Sequence, residues 1–128
     1  MKEKPSPIRP TDANAIALAR HLLRVARFGA LATLDPGDGL PQVTRVAVAT
    51  DHDAAPLLLI SDLAAHTRAL ADNPACALLL GEPGKGDPLA HPRLSVKATA
   101  QRVDEADVTK LRRRYLARHP KAALYVEF

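Results

Sequence analysis

Ala30-Leu-Ala-Thr-Leu34, then Asp35-Pro-Gly-Asp-Gly39, then Gln42-Val-Thr-Arg-Val-Ala-Val-Ala-Thr50 decide the fold class of this chain. The outer two segments are rich in residues that suit a pleated, half-buried surface, and the middle one is a dense turn signal. Two strand patterns joined so tightly must return antiparallel. A second turn, Asp51-His-Asp-Ala-Ala-Pro56, leads into Leu57-Leu-Leu-Ile60, a third strand. Three strands with short connections form a meander, without the strand–helix alternation of a parallel nucleotide-binding sheet. No Gly-x-Gly-x-x-Gly follows a strand, so a dinucleotide-binding reading fails.

Outward from this meander, residues 1–10 hold three prolines and no periodicity, and a disordered tail is expected there. Residues 11–128 read as a single domain. Thr11 or Asp12 is placed to cap a helix running to about Arg27, which Gly29 ends. Ile16, Ala19, Leu22, Leu23 and Ala26 share one face of it, and Arg20, Arg24 and Arg27 another. Ser61 or Asp62 caps a helix from about Leu63 to Ala71, stopped by Asn73-Pro74. Ala75 to Leu80 is an apolar strand, expected to be buried on both faces. Gly81 to Pro92 carries three glycines and three prolines, a long loop. Arg93 to Val103 alternates, with Leu94, Val96, Ala98 and Ala100 against Ser95, Lys97, Thr99 and Gln101. A helix from Asp104 to about Arg118 ends at His119-Pro120, and Lys121 to Phe128 reads as a last strand. Five or six antiparallel strands with peripheral helices point to a mainly β, α+β small barrel.

The 128 residues are 47% apolar and 25% charged, ordinary for a globular chain and against disorder over the whole length. No apolar run approaches the ~18 residues of a membrane helix. Met1-Lys-Glu-Lys-Pro5 lacks an apolar signal core, so export is not implied and a cytoplasmic location is expected. A lone cysteine, Cys76, precludes an intramolecular disulfide. The 18 Lys and Arg outnumber 14 Asp and Glu, which favours an anionic ligand. Four aromatic residues are too few for a base-stacking platform, and nucleic-acid binding is not expected.

The five histidines form no metal-ligand pair, and no metal site is expected. Ser61 and Ser95 lack a nucleophile elbow, Cys76 lacks an adjacent base, and Gly84-Lys85-Gly86 is not a phosphate-cradling loop. Two segments carry more. Alternation sets Arg45 on the face of Val43, Ala47 and Ala49, where a guanidinium among small apolar neighbours calls for an anion or for solvent at a strand edge. In Ser61-Asp-Leu-Ala-Ala-His-Thr-Arg68, hydroxyl, imidazole and guanidinium groups gather where a strand meets a helix start, a place that attracts phosphate.

These segments, with Ala26-Arg-Phe-Gly-Ala-Leu-Ala-Thr-Leu34, Pro41-Gln-Val-Thr-Arg-Val46, Leu59 to Leu70, Gly81 to Pro88 and Arg93-Leu-Ser-Val96, resemble the pyridoxamine 5′-phosphate oxidase-like flavin-binding split-barrel superfamily. The closest resemblance is to its heme-utilisation branch, and it covers roughly residues 15–125. It implies a six-stranded antiparallel split β-barrel with Greek-key-like connections, and a homodimer with FMN in each groove between subunits. Carried over residue by residue, Arg45 matches the arginine at the flavin and its phosphate. Val46 and Ala47 supply backbone contacts, and Ile60 and Ser61 match the strand-end pair beside the flavin. His66 and Thr67 stand where the family commonly has Arg-Lys on the phosphate, with Arg68 beside them. Leu94 stands in place of a flavin-contacting glutamine, and Ala98 in place of a glycine.

The resemblance implies a flavin-dependent oxidoreductase with an unidentified small substrate, heme being one candidate. The alternative is a non-catalytic flavin or heme binding and handling protein. No catalytic acid or base is assigned. The family's substrate-phosphate residues lie beyond Tyr125-Val-Glu-Phe128 and have no counterpart in this sequence, so true pyridoxamine 5′-phosphate oxidation is not expected.

Overall fold

A computed structural model of the chain describes residues 12–125. The expected N-terminal tail, and the end of the expected last strand, lie outside these residues. Asp12 caps the first helix: its carboxylate accepts the Ala15 N–H at 2.8 Å, and α1 runs Ala13–Val25. The helix stops four residues before Gly29, because Ala26 turns extended and only its N–H closes back, onto Leu22. Gly29 sits inside the first strand. A Cβ there would come within 2.7 Å of Leu80 Cδ2, so the glycine admits close packing rather than ending a helix.

β1 (Phe28–Leu34) and β2 (Pro41–Ala47) form the expected hairpin, in register from Phe28 opposite Ala47 to Leu34 opposite Pro41. Asp35 organises the turn, accepting the Gly37 N–H on its carboxylate at 2.7 Å and the Gly39 N–H on its carbonyl at 2.8 Å. The expected continuous strand through Thr50 is interrupted at Val48, although its N–H still bonds the Arg27 carbonyl at 2.9 Å, the next position of the β1–β2 register. Beyond the break β3 (Ala49–Thr50) pairs with β4 (Pro56–Leu57), and Leu58 to Ile60 remain unpaired. After α2 (Ala65–Asp72), β5 (Ala75–Leu80) joins β1 on one side and β6 (Leu94–Thr99) on the other. α3 (Val108–Arg118) follows a short 3₁₀ turn.

The result is a four-stranded antiparallel sheet in the order β2-β1-β5-β6 beside a two-stranded β3-β4 sheet. The barrel is not closed: β4 and β6 do not pair. One face of the large sheet is the core, where Leu31, Val46, Leu78 and Leu80 pack with Ala26 and Val48. β5 is buried on that face only, since Leu79, between Leu78 and Leu80, is 48% exposed. A second cluster joins Ala49, Tyr115 and Ala122. The expected strand after His119 is a 3₁₀ turn over Pro120–Leu124, which lets Ala122 insert fully into that cluster.

Three arginines on the helices bind backbone carbonyls. Arg24 donates to His52 O, Arg114 to Thr50 O and Arg118 to Val25 O, fastening α1 and α3 around β3.

Candidate functional site

Strand alternation and register put Phe28, Ala30, Val43, Arg45 and Leu79 on the sheet face opposite the core. Val43 is 66% exposed and Phe28 42%, an apolar surface left open among the described residues. Ala30 lies between Arg45 and Leu79 across three strands, so the centre of the patch is low and flat. The Arg45 guanidinium stands over the Phe28 ring at 5.5 Å, a cation–π contact worth about 0.5–1 kcal/mol when exposed. Together with Gly29, Thr44 and Gly81 these residues line an open cavity of about 310 Å³. That is the small end of ligand pockets, so one chain encloses only part of a molecule the size of FMN.

Around the free edge of β2 the other expected residues are arranged differently. Thr44 faces the core side, where its Oγ1 lies 3.0 Å from His66 Nδ1. Burial pushes the His66 pKa below its ordinary value of 6.5, favouring the neutral ring. Thr67 donates its hydroxyl to the Ser61 carbonyl, and Ser61 Oγ accepts the Leu63 N–H at 3.1 Å. The Ser61 and Thr67 side chains therefore fold the approach to α2, and His66 ties the helix to β2. Ala64, at the N-cap of α2, offers no side-chain cap, which leaves that helix start open to an anion. Arg68 is exposed there.

The eight expected residues thus do not converge on one cavity. Arg45 lines the outer cavity, while Ile60 and Thr67 open onto a second one behind the sheet. Val46 is buried in the core, and Ala47 sits opposite Phe28 against the Ala49–Tyr115 cluster. Arg45 on one face and His66, Thr67 and Arg68 on the other meet only around the edge of β2. Phe28, part of the entry strand but not among the expected site residues, forms the floor beneath Arg45. The hairpin register that sets Ala30 opposite Arg45 is the signal that leads to it. The residues present fit a planar, partly apolar ring with an anionic tail: a flat patch around Ala30, one exposed guanidinium and a helix start without a side-chain cap. Among the described residues no group of three or more His, Cys, Asp or Glu is placed to hold a metal.

The family described as Pyridoxamine 5′-phosphate oxidase matches residues 17–127. The chain is 39% identical over 92 residues to the non-canonical heme oxygenase HOZ, chloroplastic, of Arabidopsis thaliana, covering 71% of this chain and 27% of that protein. A solved protein of unknown function from Agrobacterium tumefaciens is 35% identical, with 98% of this chain and 55% of that one covered at a TM-score of 0.86. A heme binding protein from Mycobacterium smegmatis is 30% identical, with 94% and 48% covered at a TM-score of 0.81. The chain spans about a quarter of the curated relative's length and about half of each of these two structures. Two of the three relatives carry heme in their names, consistent with the heme-utilisation branch. The match along nearly the whole chain, on the antiparallel sheet that carries Arg45, makes this protein a member of the pyridoxamine 5′-phosphate oxidase-like family.

Proposed function

We propose that residues 11–128 act as one FMN-binding unit of a flavin-dependent oxidoreductase, with the flavin held in a groove between two copies of the chain. The observation that carries this reading is the flat outer face of β1 and β2, with Arg45 standing over Phe28 at its rim. Members of this family typically bind flavin. The exposed Phe28, Val43 and Leu79 supply the apolar surface a second copy and a ring can both use, and two-fold dimers are the commonest closed assembly.

In this reading Ala30 and Val43 contact the ring, and Val46 and Ala47 contribute backbone contacts. The phosphate lies off the β2 edge, within reach of Arg45 from one face and of Arg68, His66 and the α2 start from the other. Ile60 and Ser61 hold the chain that delivers α2, and Thr67 fixes that turn. Bound FMN supplies hydride or electron transfer, while the protein supplies orientation and electrostatics. Arg45 is exposed in the single chain, so its charge is available to an incoming anion.

A second reading, a flavin or heme handling protein without turnover, is favoured by the two heme-named relatives. One experiment separates them. The purified protein is titrated in parallel with FMN and with hemin, following the visible spectrum, while light scattering gives its mass. Saturable flavin binding by a dimer supports the first reading. A Soret band with no flavin uptake favours the second. A monomer at micromolar concentration sinks the shared groove.

A further inference from the structure

The cavity behind the sheet is separate from the Arg45 face and measures about 670 Å³. Leu31 and Leu78, in its wall, are buried, but Leu57, Leu59, Val96 and Leu111 are only half-buried around it. Leucines packed to protein density would not leave such a space. Tyr115 lines it and is 4% exposed. Burial, with Tyr125 nearby, raises the Tyr115 pKa and keeps it a proton donor.

The charged residues at the cavity are unevenly placed. Arg102 and Arg112 both line it, are exposed, and make no ion pair among the described residues. Arg112 and Tyr115 are three apart on α3, hence neighbours on one face. The Ala100 N–H bonds Pro74 O at 2.8 Å, tying the end of β6 that leads to Arg102 to the segment just after α2. Asp62, the acidic residue of the lining, lies before the start of α2, a helix about 12 Å long for its eight residues. The cavity therefore has an apolar body and a cationic mouth, with the Tyr115 hydroxyl among its polar groups.

We propose that this cavity binds an amphipathic carboxylate, its hydrocarbon chain lying along the leucines and its carboxylate held by Arg102 and Arg112 with help from the Tyr115 hydroxyl. The cationic mouth is separated from Arg45 by the sheet, although Ile60 and Thr67 border the cavity. Charge-assisted contacts to a carboxylate are the stronger hydrogen bonds, so the acid is preferred over an uncharged chain of the same length.

The sole thiol, Cys76, lines the cavity and is half-buried, so it reports on occupancy. Its alkylation by iodoacetamide at mildly alkaline pH is followed by mass with increasing dodecanoate or dodecan-1-ol. Dodecanoate is expected to slow the reaction saturably, with the alcohol needing about tenfold more or higher. Arg102→Ala with Arg112→Ala is expected to erase that preference while protection by the alcohol persists. FMN uptake is expected to be unchanged by dodecanoate, which keeps this test distinct from that of the flavin reading. Equal protection by acid and alcohol, no protection at saturation, or a thiol already shielded by self-association without ligand would each overturn the proposal.

Discussion

Thr44 and His66, 22 positions apart in the chain, are joined by a 3.0 Å contact between Oγ1 and Nδ1 that fixes α2 against the edge strand β2. The neighbouring residue Arg45 points to the other face of the same strand, so this one contact sets how the two halves of the candidate site meet. It also makes the fold sensitive to acid. The His66 pKa is lowered by burial, so between that value and 6.5 the unfolded chain binds the extra proton. The contribution of the neutral ring is complete above pH 6.5 and is lost as pH falls through the lowered value. Thermal unfolding is expected at a lower midpoint in mild acid than at neutral pH. His66→Gln is expected to flatten that part of the profile; an unchanged slope would place the acid sensitivity elsewhere.

Arg45→Ala removes a charge-assisted contact to the FMN phosphate and is expected to weaken FMN by about 10- to 150-fold, for roughly 1.5–3 kcal/mol. Riboflavin, which has no phosphate, is expected to bind the parent protein far more weakly than FMN and to be nearly indifferent to the substitution. Fluorescence titration of all four pairings measures this. Equal affinity for FMN and riboflavin would leave Arg45 and the α2 start without a phosphate role.

The hairpin, β6 and the faces of α1 were legible because each repeats a period along the chain, and β5 was legible as a short apolar run. Arg45 was legible as an odd charge in an apolar alternation. The rest depends on contacts between distant positions. Lys121 to Tyr125 has a strand's composition, yet Ala122 is drawn into the Ala49–Tyr115 cluster and the segment coils as 3₁₀. Arg24, Arg114 and Arg118 are exposed, as their spacing on a solvated helix face implies, and each also meets a carbonyl. The sharing of Ile60 and Thr67 with the inner cavity follows from the barrel remaining open between β4 and β6, which no local pattern announces.

His119 offers a direct check on the junction of β2, β3 and α3. Its Nε2–H donates to the carbonyl of Val48 at 2.7 Å, and Val48 is fully buried where the strand breaks. The ring also lies 5.0 Å from that of Tyr115. His119→Ala leaves a buried carbonyl without its donor, a loss of about 1–3 kcal/mol. Urea unfolding is expected to show an earlier midpoint at unchanged slope. A midpoint equal to that of the parent would mean that water replaces the imidazole there.

Oxidation of pyridoxamine 5′-phosphate requires two phosphates to be held, that of FMN and that of the substrate. Arg45, Arg68, His66 and the α2 start are available to the first. For the second, the cations nearest in sequence to the outer cavity are Lys85 and Arg93, in and after the Gly81–Pro92 loop. Arg93 Nη1 already donates to Leu89 O at 3.2 Å, and Lys85 contributes its carbonyl to His91 Nε2 at 2.8 Å while its side chain is exposed. The described residues therefore assemble no second phosphate clamp. Without one the substrate amine is not held over the flavin in a near-attack geometry, an advantage worth several kcal/mol, roughly 7–11 in the best oriented cases. The FMN-loaded chain is expected to turn over pyridoxamine 5′-phosphate no faster than free FMN at the same concentration, measured as pyridoxal 5′-phosphate formed. A saturable rate above that background, abolished by Arg93→Ala, would show that the loop rearranges on substrate binding and would make the oxidase itself the better reading of this fold.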